Sequence, residues 1–144
     1  FQGVRLMDKK ILLTIEGSHK DENGENIKVQ LITEGRLFQE NGVYHIEYEE
    51  SEISGIEGTT ARISINDNAV SFERTGTSYS SLLFESGKKY AKSLLTPYGA
   101  VQMEIYPTQI EHALGDTEGK LNLKYQIAID GKSTGTNELT FSYK

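Results

Sequence analysis

An all-β fold, an up-and-down antiparallel β-barrel of about eight to ten strands, is predicted by three features of this sequence of 144 residues. Apolar residues recur at every second position over many short segments, the mark of strands with one buried face. Turn pairs such as Asn-Gly and Asp-Asn separate the segments. No long crossover helix interrupts them, so strands consecutive in sequence are expected to pair as neighbours. A flat sheet would leave each apolar face wet. Closing it into a barrel buries that face and removes the edges.

The elements follow in order. Lys10 to Gly17 is the first strand, with Ile11, Leu13 and Ile15 on one face. Asn23-Gly24 is a hairpin turn, since both residues tolerate positive φ. The acids before it lack the full ligand spacing of a calcium loop, so this is a hairpin tip. Ile27, Val29, Leu31, Thr33, Gly35 and Leu37 share the next face. Glycine at position 35, where a side chain is due, predicts a bend or a close backbone approach. Asn41-Gly42 is a second turn, after which Tyr44, Ile46, Tyr48 and Glu50 alternate with His45, Glu47 and Glu49.

Ala61, Ile63 and Ile65 lead through Asp67-Asn68 to Val70, Phe72 and Arg74. Residues 78–95 have helical propensity, but Gly87 in their middle favours two strands and a turn. Thr96-Pro97-Tyr98-Gly99 is a turn. Val101, Met103 and Ile105 precede Ile110, His112 and Leu114, with Pro107 expected near a strand end. The turn Asp116 to Lys120 opens the segment holding Leu121, Leu123, Tyr125, Ile127 and Ile129, and Leu139, Phe141 and Tyr143 close the chain.

The length suits one domain. Phe1-Gln2-Gly3 reads as the tail of an engineered protease site. Residues 1–6 are therefore set aside as an expression-tag scar and N-terminal extension, and 7–144 are expected to form a single barrel domain. Cysteine is absent, which excludes disulfides and thiolate metal sites and fits a reducing cytoplasm. No apolar run approaches a membrane span, and no signal peptide is visible. The net charge of -6 argues against nucleic acid as a partner.

Four segments carry a resemblance in their order and spacing: "YHIEYEESEISGIEGTTARISI" from Tyr44, "RTG" from Arg74, "LTPYG" from Leu95 and "TNELTFSYK" from Thr136. Together they resemble the YwiB-like family, domain-of-unknown-function family 1934, small bacterial proteins of the Bacillota. The resemblance implies a calycin-like barrel, related in shape to lipocalins. It implies strands for residues 78–95, and no particular activity.

The acids near residue 50 divide by parity. His45, Glu47 and Glu49 share the face opposite Tyr44, Ile46 and Tyr48, so they are expected on the solvated outer wall rather than in a metal site. Glu52 is expected to be exposed in a loop. Gly55 and Gly58 read as a strand connection, because no helix follows to hold a phosphate. Glu50 continues the inward face. Arg74 follows Val70 and Phe72 inward, and a buried guanidinium needs a partner, so Arg74 is expected to pair with Glu50 at the barrel mouth or to anchor an anion. His112, between Ile110 and Leu114, is expected in the core, with a ligand contact as the alternative. Tyr44, Tyr48, Tyr125 and Tyr143 point inward and need hydroxyl partners.

The candidate ligand-binding residues are Arg74, Glu50, Tyr48, His112 and Tyr125. No serine–histidine–acid motif is visible, so no catalytic residue is assigned, an enzyme is not expected, and no cofactor or metal is implied. The sequence points to a cytoplasmic protein that holds a small hydrophobic or anionic ligand in the barrel. The competing reading is a structural or protein-interaction module, a homodimer with a packed interior. Interior volume separates the two.

Overall fold

The computed structural model describes residues 5–51, 57–77 and 79–144. Among these the elements are ten strands: β1 (Arg5–Lys20), β2 (Asn26–Glu40), β3 (Val43–Glu49), β4 (Thr59–Ile65), β5 (Ala69–Gly76), β6 (Ser80–Glu85), β7 (Tyr90–Thr96), β8 (Gly99–Leu114), β9 (Gly119–Ile129) and β10 (Lys132–Tyr143). No helix among the described residues is long and apolar enough to cross a membrane.

The strands form one antiparallel sheet in the order β6-β5-β4-β3-β2-β1-β10-β9-β8-β7. Each strand lies beside its sequence neighbour except at one seam, and β1 meets β10. The meander thus curls round until β6 and β7, joined in sequence, are its two edges. Across that seam the Tyr90 hydroxyl donates to the Ser81 carbonyl at 3.2 Å. This is the nearly closed up-and-down barrel that the alternating pattern predicts.

Turn chemistry accounts for the tight connections. Asn41 and Gly42 both have positive φ, 55° and 78°, the two-residue turn that matches strand twist. The β1–β2 tip differs from a two-residue hairpin. Asp21 Oδ1 accepts from the N–H groups of Asn23 and Glu25, both at 2.9 Å, so the carboxylate organises a longer turn. Residues 78–95 contain β6 and β7 with Gly87 in the intervening turn, as the resemblance implied, with Ser78 itself outside the described residues.

One strand expectation is corrected. Pro107 is not near a strand end; it lies inside the 16-residue β8. The register of β8 against β9 shifts between Pro107 and Gln109. This bulge takes up the residue that lacks a ladder donor, and it explains why the apolar positions change from odd (Met103, Ile105) to even (Ile110).

The inward faces make the core. Leu13, Leu37, Ile46, Val70, Leu121 and Leu123 are fully buried. Aromatic rings bridge the walls: Phe72 meets Phe84 at 5.3 Å and Phe141 at 5.9 Å, and Phe84 meets Tyr125 edge-on at 5.1 Å. These contacts join β5, β6, β9 and β10, so the middle of the barrel is packed.

The outer wall is less bare than expected. Phe38 has outward parity but is fully buried. The His45 ring stacks on it at 5.0 Å, and the Arg62 guanidinium lies over it at 5.4 Å from the centroid. Glu47 accepts from Arg62 Nε at 2.6 Å. Of the three expected rim residues Glu49 is exposed, and His45 and Glu47 are half-buried.

Candidate functional site

The sheet opens at one end because β3 leaves β2 early. Their ladder stops at the pair Arg36–Glu47, whereas β2 runs on toward Asn26 with β1 as its one strand partner among the described residues. Gly35 marks the parting. A Cβ there would sit 2.8 Å from the Glu47 carbonyl oxygen, so only glycine lets the β3 backbone approach. The close approach expected from the sequence is present.

Beyond the parting, the neighbouring ends of β3, β4 and β5 carry the polar group. The Glu50 N–H donates to the Thr59 carbonyl at 2.8 Å, which extends the ladder by one pair. One row below, Ala61 stands opposite both Tyr48 and Arg74. Its small side chain leaves room for the two long ones to converge. Arg74 Nε donates to Glu50 Oε1 at 2.7 Å. The Glu50 side chain is wholly buried, and that of Arg74 is 48% exposed. The guanidinium thus bridges a buried acid and the solvent at the barrel mouth.

Two buried polar atoms here have no hydrogen-bond partner among the described residues: Glu50 Oε2 and Thr59 Oγ1. Such groups cost free energy and are uncommon in native interiors. Burial pushes the Tyr48 phenol above its ordinary pKa, the Glu50 carboxylate pushes the same way, and Arg74 opposes both. Tyr48 therefore lies in the field of both charged groups.

Tyr48 also lines a cavity of about 440 Å³ with Ile15, Gly17, Val29, Leu31 and Leu139. These are inward residues of β1, β2 and β10 where the barrel flares. An apolar trough and a half-exposed arginine thus share one tyrosine. Among the described residues, no group of three histidine or acidic side chains is placed to hold a metal ion.

Of the five candidate residues, Arg74, Glu50 and Tyr48 come together. Tyr125 does not join them: its ring packs on Phe84, and burial raises its pKa. His112 is corrected from a core residue to an exposed one. It pairs with buried Leu121, so its parity is inward, but the strand is ending there. The ring reaches over the opposite rim to the Asp67 carbonyl, 3.2 Å from Nε2. Glu52 and Gly55 lie outside the described residues. Sequence reasoning missed Thr59 and, apart from Tyr48, the trough residues. Gly17, which follows Ile15 on the apolar face of β1 and stands opposite Val29, was a usable signal, because a glycine on an apolar face leaves unfilled space.

Comparison with known proteins adds the lineage. No curated protein matches. The crystal structure of the YwiB protein from Bacillus subtilis superposes on this chain with a TM-score of 0.79, covering 97% of this chain and 94% of that one. At 16% identity the likeness speaks for the fold alone. A family model described as a domain of unknown function, DUF1934, matches residues 13–141. That span runs from the fully buried Leu13 of β1 to Phe141 of β10, the strands that meet to close the meander, and the chain belongs to this YwiB-like DUF1934 family.

Proposed function

We propose that this protein binds a small amphipathic molecule at the flared end of the barrel, with an apolar body in the trough and an anionic end at Arg74. The observation that carries the reading is the cavity of about 440 Å³ between Ile15, Gly17, Val29, Leu31, Tyr48 and Leu139. It is within the size range of small-molecule sites and has the expected character, apolar walls with few polar groups. Arginine suits the polar end because its fork is planar and permanently charged, and Glu50 occupies only its Nε. The packed middle favours a ligand at the mouth rather than along the barrel axis.

Binding is proposed in preference to catalysis. His45 does meet a hydroxyl, Ser64 Oγ, at 2.8 Å. That ring lies flat on Phe38 on the outer wall, on the opposite face from the trough. A cysteine-free chain suits a reducing cytoplasm, and the proposal puts the protein there.

The test uses decanoate and decanol in titration calorimetry. The Gly17→Val variant fills the trough from a strand position where a new Cβ meets Val29 at an ordinary 3.4 Å. It should abolish binding of both probes. Arg74→Met should weaken decanoate about tenfold and leave decanol unchanged. Decanoate binding as tight in Gly17→Val as in the parent would overturn the reading.

A further inference from the structure

Strand β2 has β1 along its whole length, but β3 leaves it at Arg36. From Asn26 to Glu34 its other edge has no strand partner among the described residues. The segment is exposed from Asn26 to Gln30 and again at Ile32 and Glu34. Ile27, Val29 and Ile32 are 63%, 66% and 58% exposed. Soluble proteins usually blunt such an edge with proline, a bulge or charged side chains, and this one has only the charges of Lys28 and Glu34. Here the β1–β2 register is continuous from Lys9 to Lys20, and β2 contains no proline.

The direction of the backbone groups follows from the turn. The Asp21 N–H donates to the Glu25 carbonyl at 2.9 Å, so odd-numbered residues of β2 turn their bonding groups toward β1. Even-numbered residues therefore aim theirs at the open edge: Lys28, Gln30, Ile32 and Glu34.

We propose that this edge pairs with the same edge of a second copy of the chain, antiparallel and centred on Leu31. Charge selects the partner and the register. In this pairing Lys28 opposes Glu34 at two symmetry-related places, Gln30 opposes Ile32, and Val29 opposes Thr33. Opposed residues share parity, so bonding groups meet bonding groups and inward faces stay inward. A register one step either way sets Lys28 against Ile32 or against Arg36, losing the opposite charge or replacing it with a like one. The contact is self-complementary, as a two-fold dimer requires. It flanks Val29 and Ile32 and continues the sheet from β1 through β2 into the second copy.

Sedimentation velocity of the intact chain over a dilution series tests this. The parent should be a reversible dimer. Lys28→Glu should raise its dissociation constant about tenfold, and adding Glu34→Lys should restore it to within about threefold. Gln30→Pro removes an N–H from the open edge and none from the β1–β2 ladder, so it should give a folded monomer. If that variant fails to fold, the charge reversal and its rescue decide alone. A parent that stays monomeric at about 0.5 mM would overturn the proposal. So would a dimer whose dissociation constant moves with neither Lys28→Glu nor Gln30→Pro.

Discussion

Arg74 donates from Nε to Oε1 of Glu50 at 2.7 Å, while Oε2 of the same carboxylate is buried with no hydrogen-bond partner among the described residues. The pair is lopsided, with one member wholly buried and the other half in water. Removing the exposed member strands the buried one. Arg74→Met should therefore destabilise the fold by about 1–3 kcal/mol, less than the roughly 3–5 kcal/mol of a fully buried broken pair because the arginine is solvated. Glu50→Met combined with Arg74→Met should recover most of that loss. Urea melts of the two single variants and the double variant give the coupling. Additive losses would mean that the pair contributes nothing as a unit.

Alkaline titration should expose the interior tyrosines. Burial holds the Tyr48 and Tyr125 phenols above the ordinary value of about 10. Above that value the unfolded chain loses these protons while the native state keeps them. The unfolded state then binds fewer protons, so stability falls as pH rises. It is fully present below about pH 10 and is lost as pH passes the raised native values. Tyr48→Phe should flatten the fall above pH 10 relative to the parent, as read by melting temperature. An unchanged slope would place that phenol in water.

The outer wall offers a contrast between two glutamates on one strand face. Glu47 accepts from Arg62, whose guanidinium also covers Phe38, and Glu49 is exposed. Glu47→Gln should cost about 1 kcal/mol, and Glu49→Gln should fall within about 0.5 kcal/mol of the parent. Equal losses, measured by urea denaturation, would show that the Arg62 contact does not stabilise the wall.

The barrel was legible because period-two patterning and turn chemistry act locally. Ile11, Leu13 and Ile15 declare a face wherever the strand ends up, and Asn41-Gly42 declares its turn without outside help. The Glu50–Arg74 pair was legible for the same reason, since parity and the cost of burying a charge constrain both residues. The rest depended on distances that parity cannot encode. Phe38 has outward parity and is buried because His45 and Arg62, from two other strands, fold over it. His112 has inward parity and is exposed because the wall is ending. The trough exists because β3 parts from β2 at Arg36, and no single segment specifies where two strands part.

Tyr143 and Gly119 give the sharpest packing prediction. They stand opposite each other at the β9–β10 ladder end. The Tyr143 hydroxyl donates to the Gly115 carbonyl at 2.7 Å and accepts from the Gly115 N–H at 3.2 Å. It thereby ties the last strand to the β8–β9 turn. The phenol ring crosses the space where a residue 119 side chain would stand, and a Cβ there would overlap the ring carbons and hydroxyl. Glycine is required here by the ring rather than by its own backbone angles. Gly119→Ala should therefore cost about 1–3 kcal/mol by displacing the tyrosine. Tyr143→Phe should cost about 1 kcal/mol through the lost hydroxyl contacts. Tyr143→Leu removes the obstacle, so Gly119→Ala added to it should cost clearly less than in the parent background. A Gly119→Ala penalty that is the same with and without Tyr143 would mean that the strand backbone, and not the ring, demands the glycine.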